Sequence, residues 1–241
     1  MLSRTLALAV AGLLAAAPAA TAAPKRVYVV SEARGFVHDS IPDAVAFFRA
    51  LGRRSPRYDV IHLRSGAAGL TAKRLRSADA VVLANTSGEL PLPSRAALTG
   101  FVRRGGALVG THSASDTWHA WPGYERLLGG EFERHGPSQR GRLIVEGGRH
   151  PITRGLPRAF SLHEEFYEFG APPRRRARIL VRLDRRSVTD VQDADLPLVW
   201  ARREGRGRVF YDALGHFPAT WRHAHHSRIV ARGLEWAIRL R

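Results

Sequence analysis

The sequence predicts an α/β fold built on one mixed sheet. Short β-branched apolar runs alternate with helix-length amphipathic stretches through the first half of the chain. The second half is richer in strand-like runs, two of them joined by a hairpin signal. No repeat, low-complexity segment or linker interrupts residues 25 to 241. Parallel strands need crossover connections, and these place helices on both faces of a sheet.

The elements follow in chain order. Arg26–Val30 (RVYVV) is a buried-type strand, and Pro42–Leu51 is a helix with Ser40 as its N-cap and Gly52 as its stop. Tyr58–Leu63 is the second strand, Thr71–Ala78 a polar helix and Ala80–Ala84 the third strand. Pro93–Arg103 is a helix ending at Gly105-Gly106, and Ala107–Thr111 is the fourth strand. A helix over Trp121–Leu128 follows. Gly141–Glu146, Ser161–Phe169, Ala177–Leu183, Leu196–Arg203 and Arg208–Leu214 read as strands. Glu204-Gly205-Arg206-Gly207 joins the last two as a hairpin, which also accounts for its phosphate-loop look. His226–Leu240 closes the chain as an amphipathic helix with Val230, Leu234, Ala237 and Ile238 on its apolar stripe.

The first 23 residues read as a secretory signal peptide rather than fold. Arg4 supplies the positive end, Leu6 to Ala17 the apolar stretch and Ala20-Thr21-Ala22 the small-residue cleavage site. The apolar stretch is too short to span a membrane, and no later run of about 18 apolar residues replaces it. The expected mature protein, residues 24–241, is a single domain that is secreted or periplasmic. Cysteine is absent, so an exported chain must rely on its core rather than on disulfides, and a thiol nucleophile is ruled out.

The formal charge is +17, nearly all of it arginine, since Lys25 and Lys73 are the only lysines. A basic surface attracts polyanions. Here the arginines are scattered in ones and twos. The densest cluster, Pro172-Pro173-Arg174-Arg175-Arg176-Ala177-Arg178, follows a Pro-Pro break and has no aromatic interleaving. The charge therefore reads as a solvated surface, and no nucleic-acid partner is expected.

Ligands of open α/β sheets bind beyond the carboxyl ends of the strands. Glu32, Arg34, Gly35, Phe36, His38 and Asp39 follow the first strand, and Asn85, Thr86 and Ser87 follow the third. Thr111, His112, Ser113, Ser115 and Asp116 lie at and after the end of the fourth, and Gly215-His216 after the last. The stretch Ser161–Phe169 contributes His163, Glu164, Glu165 and Tyr167, and Glu131–His135 ends in His135. Three histidines and a carboxylate meeting in one cleft suit either a divalent metal such as zinc or an acid/base pair. No H-E-x-x-H spacing selects between them, and no G-x-S-x-G surrounds Ser113 or Ser115. His223, His225 and His226 form a separate local cluster, expected to be solvated in a loop. Trp118 and Trp121 fit a sugar-stacking face and a core position equally well.

Five motifs, in order, resemble the ThuA-like (trehalose-utilisation) family: "ARGFVHDSIPDAVAFF", "GGALVGTHSASDTWHAWPGYERLLGGEFERHGP", "VEGGRHPITRGLP", "HEEFYEF" and "GRVFYDALGH". The resemblance covers about residues 25 to 240. It implies a flavodoxin-like, class I glutamine amidotransferase-like three-layer sandwich with a mostly parallel sheet. Laid on the G-x-C-x-G elbow of those enzymes, Gly110-Thr111-His112-Ser113-Ala114 puts His112 in the place of the cysteine. The chain departs from the family at Glu164, where an aspartate is common. The resemblance implies a role in disaccharide or keto-sugar utilisation, with a small-molecule carbohydrate as partner.

The expected catalytic residues are His112, Glu165, His216 and Asp116. His38, Asn85, Ser113, Trp118, His135 and Tyr167 are expected to bind substrate, and His112, His216 and Glu165 to hold the metal. The competing reading is a non-catalytic carbohydrate-binding protein that uses the degenerate elbow as a cleft.

Overall fold

The computed structural model of the chain describes residues 23–240, apart from 147, 172 and 176. The expected leader and part of the arginine cluster lie outside the described residues. Apolar β-branched runs form β1 (Lys25–Val30), β2 (Tyr58–His62), β3 (Ala80–Ala84) and β4 (Ala107–Thr111). Every residue of β3 and β4 is buried, as expected of parallel strands covered on both faces. Between them run α1 (Ile41–Arg54), α2 (Ala72–Ser77) and α3 (Arg95–Arg103). Hydroxyl caps set two of these starts. Thr71 Oγ1 accepts from the Arg74 amide, and Ser94 Oγ accepts from the Ala97 amide.

After β4 the chain makes one 3₁₀ turn, His112–Asp116, and enters α4 (Pro122–Leu128). β5 (Phe132–His135), β6 (Gln139–Val145), β7 (Ala159–Glu164), β8 (Tyr167–Phe169), β9 (Arg178–Leu183), β10 (Pro197–Glu204) and β11 (Gly207–Asp212) follow. The chain closes with α5 (Pro218–Arg222) and α6 (Ala224–Ala237).

Among the described residues, nine strands form one sheet in the order β2-β1-β3-β4-β11-β10-β9-β6-β7. The five strands from β2 to β11 are parallel, and the remaining four are antiparallel to their neighbours. The sheet is therefore mixed, with the parallel strands at its core. Along β11 successive side chains point to opposite faces. Phe210 packs against Gly233 of α6, whereas a β-carbon at Gly110, beside Tyr211, would meet Leu128 of α4 at 3.1 Å. Helices thus cover both faces, and the three layers implied by the family resemblance are present.

Four expectations are corrected. α1 runs past Gly52 to Arg54, because Gly52 is where Val60 of β2 packs onto the helix rather than a stop. Ser40 makes no side-chain cap bond; its hydroxyl donates instead to Gly215 O. The stretch Ser161–Phe169 is two strands. Glu164, Glu165 and Phe166 are consecutively buried, so the alternation breaks there, and β8 leaves the main sheet to pair with β5. The His223–His226 cluster is not a solvated loop. α6 begins at Ala224, and His226 is fully buried with Nε2 3.3 Å from Asp212 Oδ2.

Candidate functional site

The parallel strands deliver three histidines to one point. His38 follows β1, His112 directly follows β4 and His216 follows β11, all at carboxyl edges of neighbouring or near-neighbouring strands. Glu165 arrives from the break between β7 and β8. One ligand atom from each of His38, His112, Glu165 and His216 lies within 4.8 Å of all the others.

His112 is the pivot. Its backbone has φ +45°, in the left-handed region, where a non-glycine residue is strained and a functional constraint is the usual reason. Tyr211 holds the turn, donating from its hydroxyl to His112 O at 2.6 Å. The imidazole Nδ1–H donates to Ala213 O at 2.9 Å, which leaves a lone pair on Nε2. That Nε2 lies 3.0 Å from His38 Nε2, 3.3 Å from His216 Nδ1 and 3.8 Å from Glu165 Oε2. The Tyr167 hydroxyl donates to it at 3.1 Å. His38 Nδ1 sits 3.3 Å from Ser113 Oγ, so a His38 that donates from Nδ1 also turns a lone pair inward.

His216 is carried by a loop that is tied down on all sides. Gly215 has φ +114°, a conformation open to glycine. Its carbonyl accepts from Ser40 Oγ at 2.7 Å, Asn85 Nδ2 at 2.9 Å and Trp221 Nε1 at 3.1 Å. Beneath it the buried Glu164 gathers amides: Oε1 accepts from Gly215 N at 3.2 Å and from the Thr220 hydroxyl, and Oε2 accepts from His216 N at 3.2 Å and Glu165 N at 3.3 Å. This carboxylate fixes the backbone of two of the four converging residues.

The electrostatics divide the histidines. Burial, reinforced by the neighbouring His216, lowers His38 to about 4. Burial, then His38, pushes His112 well below its ordinary value. Both rings are therefore neutral near pH 7, as metal ligation requires. For His216, burial lowers the value, but its bond to Glu165 (Nδ1 to Oε2, 3.2 Å) and that carboxylate's charge outweigh it and the net shift is upward. Burial likewise raises Glu165, and the same bond and charge reverse it to a net lowering. Burial, then the Glu165 charge, pushes the Tyr167 phenol well above its usual range, so it remains a donor. His135 is an exposed side chain beside the cluster between two acceptors, with Nδ1 2.7 Å from Gly136 O and Nε2 3.3 Å from Glu165 Oε1.

Of the residues expected here, His38, His112, Ser113, His135, Glu165, Tyr167 and His216 come together. Three do not join them. Asp116 turns aside to bind His119, whose Nε2 lies 2.6 Å from Asp116 Oδ1 and whose Nδ1 lies 2.6 Å from Glu131 Oε1. Trp118 is a core residue: it is buried, its indole N–H donates to Leu90 O at 2.9 Å, and Tyr124 packs on it at 4.9 Å. Asn85 is fully buried, and its side chain is committed to Ser40, Thr111 and Gly215. It holds the His216 loop from a fully buried position.

Sequence reasoning left Glu164 without a role. Its only signal was its place beside Glu165. A separate cleft of about 700 Å³ opens at the opposite, amino-terminal edge of the parallel strands, beside Lys25, Asp79 and Arg239; it holds none of the converging donors.

A family model described as trehalose utilisation (ThuA) matches residues 26–237, nearly the whole described chain. The chain belongs to the ThuA family. No curated protein sequence matches it. A ThuA-like protein from Bacteroides uniformis ATCC 8492 superposes with a TM-score of 0.77 at 22% identity, covering 92% of this chain and 95% of that one. A second, from Parabacteroides merdae ATCC 43184, gives 0.72 at 20% identity, covering 89% and 90%. A β-galactosidase from Bacillus circulans sp. alkalophilus matches with a TM-score of 0.55 at 14% identity, over 89% of this chain but 30% of its own. At these identities the likeness is one of fold. Membership of the ThuA family supports a role in carbohydrate utilisation, and no described helix is long and apolar enough to cross a membrane.

Proposed function

We propose that this ThuA-family chain is an exported, divalent-metal enzyme acting on a keto-disaccharide or related sugar. One observation carries the reading: the spacing of the four donors. A tetrahedral zinc ion with bonds of about 2.0–2.1 Å sets its ligand atoms about 3.3 Å apart. Four of the donor–donor edges, His38–His112, His112–His216, His216–Glu165 and His112–Glu165, measure 3.0, 3.3, 3.2 and 3.8 Å, and the two remaining edges, from His38 to His216 and to Glu165, stay within 4.8 Å. Three imidazoles and a carboxylate are also the ligand chemistry that zinc accepts. His112 Nδ1–H on Ala213 O fixes the ring orientation, as outer partners of metal-bound histidines do. His38 therefore joins the three residues the sequence had proposed as ligands.

A bound divalent ion would supply a Lewis acid for a sugar carbonyl or its enolate. The chain's own groups supply the rest. Tyr167, kept protonated by burial, donates a hydrogen bond towards an oxygen seated at the cluster. His135, exposed and with Nε2 3.3 Å from Glu165 Oε1, would take a proton from the carbon beside the carbonyl, where a keto sugar is acidic, once substrate displaces that contact and frees the Nε2 lone pair. Glu165 links the two, one oxygen facing His216 and the other His135.

Elemental analysis of the purified protein, paired with turnover of a keto-disaccharide before and after chelation, tests the reading. The expected result is one divalent ion per chain and activity that chelation removes and zinc restores. Metal-free protein with chelator-resistant turnover would replace the metal centre with a histidine acid/base pair. Sugar binding without turnover would leave a binding protein. Export is tested separately, by locating the protein in cell fractions and sequencing its mature N-terminus; retention of residues 1–23 on a cytoplasmic protein would overturn it.

A further inference from the structure

The structure leaves two large apolar side chains well exposed among the described residues, Phe36 at 65% and Val37 at 66%, and they are adjacent. Single exposed hydrophobes are ordinary, but a pair beside a polar cluster suggests a ligand. This pair sits on the segment between β1 and α1 that carries His38, and the Phe36 ring lies 4.7 Å from the His38 ring, edge to face.

The backbone presenting the pair is held in place. Arg34 N and Gly35 N both donate to Ser87 O, at 2.9 and 3.4 Å, and Ser87 Oγ donates to Phe36 O at 2.7 Å. The segment is thus hydrogen-bonded to the loop after β3 in a shape that points the ring outward. The tryptophan the sequence offered as a sugar platform, Trp118, is sealed in the core. Of the phenylalanines beside the cluster, Phe36 is the well-exposed one; Phe217, 4.5 Å from the His216 ring, and Phe132, 4.3 Å from the Tyr167 ring, are half-buried.

We propose that Phe36 is the stacking platform of a pyranose subsite, with Val37 extending its apolar surface. This rests on the reading of the histidine cluster as a carbohydrate site. A pyranose ring has a face of C–H groups that suits an aromatic face, and hydroxyls or a carbonyl at its edge that suit His216, Glu165 and His135. Apolar walls with a few convergent polar groups are the usual composition of a small-molecule site. The platform selects a ring sugar over an acyclic polyol carrying the same hydroxyls.

The test uses the full chain as wild type, Phe36→Ala and Phe36→Trp, with trehalose, sorbitol and zinc as separate calorimetric titrants. Phe36 is exposed, so both variants should melt with the wild type. The expected result is trehalose affinity about ten-fold weaker in Phe36→Ala and kept in Phe36→Trp, with weak sorbitol binding that ignores the substitution and zinc affinity equal in all three. Equal trehalose affinity in wild type and Phe36→Ala overturns the platform, as does equal affinity of the wild type for sorbitol and trehalose. A wild type that takes zinc but no trehalose removes the platform and leaves the metal centre. Phe36-dependent trehalose binding without any zinc binding keeps the platform and removes the metal.

Discussion

At the scale of single residues, His112 concentrates the constraints of the site. It combines a left-handed backbone, a buried ring and an Nε2 shared by three potential ligand neighbours. Two substitutions separate its backbone role from its ring. His112→Gly and His112→Ala both remove the ligand, but only glycine accepts φ +45° freely, and the left-handed conformation costs other residues roughly 1–2 kcal/mol. Both variants should lose stoichiometric zinc, while His112→Gly melts above His112→Ala. Zinc retained by either, measured by elemental analysis, would remove His112 from the ligand set. His112, His216 and His38 were legible in the sequence because each follows the carboxyl end of a buried strand, His112 at once and the other two after a short loop. Trp118 was not. An aromatic after a strand end can line a cleft or close a core, and the left-handed turn at Trp118, φ +58°, and the indole bond to Leu90 O that go with the core position have no sequence signature. Phe36 was placed among the residues after the first strand but given no role, because exposure leaves no mark in composition.

At the scale of elements, the parallel strands were visible in the sequence and the two-stranded β5–β8 ribbon was not. Strands of three and four residues, β8 and β5, are too short to show a period of two. Yet this ribbon carries Tyr167 and His135, and the break before it places Glu165. Glu164 is the fastener of this arrangement, since it binds the amides of Gly215, His216 and Glu165. Burial raises its carboxyl above the ordinary value, against the pull of the Thr220 bond and nearby His226. Glu164→Gln replaces one accepting oxygen with an NH₂ group that faces backbone donors. Second-layer losses of this kind typically cost 10–100-fold in metal affinity. Zinc affinity should fall by about that factor in Glu164→Gln and by less in Glu164→Asp, which keeps both accepting oxygens. A Glu164→Gln protein that binds zinc like wild type would show the clamp to be irrelevant to the site.

At the scale of the molecule, the alternation of strands and helices made the α/β class legible, while strand order was not, because pairing between distant strands leaves no local signature. Burial across the whole fold also sets how the metal-free protein responds to acid. His38 is lowered to about 4 by burial and then His216, and His150 to about 4 by burial and then Arg178. His62, His112 and His223 are also lowered, each chiefly by burial. All five would take protons near pH 6.5 in the unfolded chain. Between pH 6.5 and about 4 these five histidines bind more protons in the unfolded state than in the fold, so their contribution to stability falls as the pH falls through that window, while Glu164 and Asp193, both raised chiefly by burial, act the other way towards its lower end and offset part of it. His119 and His216 act the other way. In both, burial lowers the value, but carboxylate partners (Asp116 and Glu131 for His119, Glu165 for His216) reverse it to a net rise. Their contribution is lost as pH rises through those raised values and is complete below 6.5, so it cannot offset the decline beneath that point. The melting temperature of the metal-free protein should therefore drop steadily from pH 6.5 to 4. Zinc adds a second slope in the same direction, because His216 must lose its proton to bind, so the stabilisation it provides shrinks on acidification and begins to do so above pH 6.5. Melting curves at half-unit steps, with and without zinc, read both slopes; a metal-free melting temperature that holds constant between pH 6.5 and 4 would contradict the buried, neutral histidines on which the site is built.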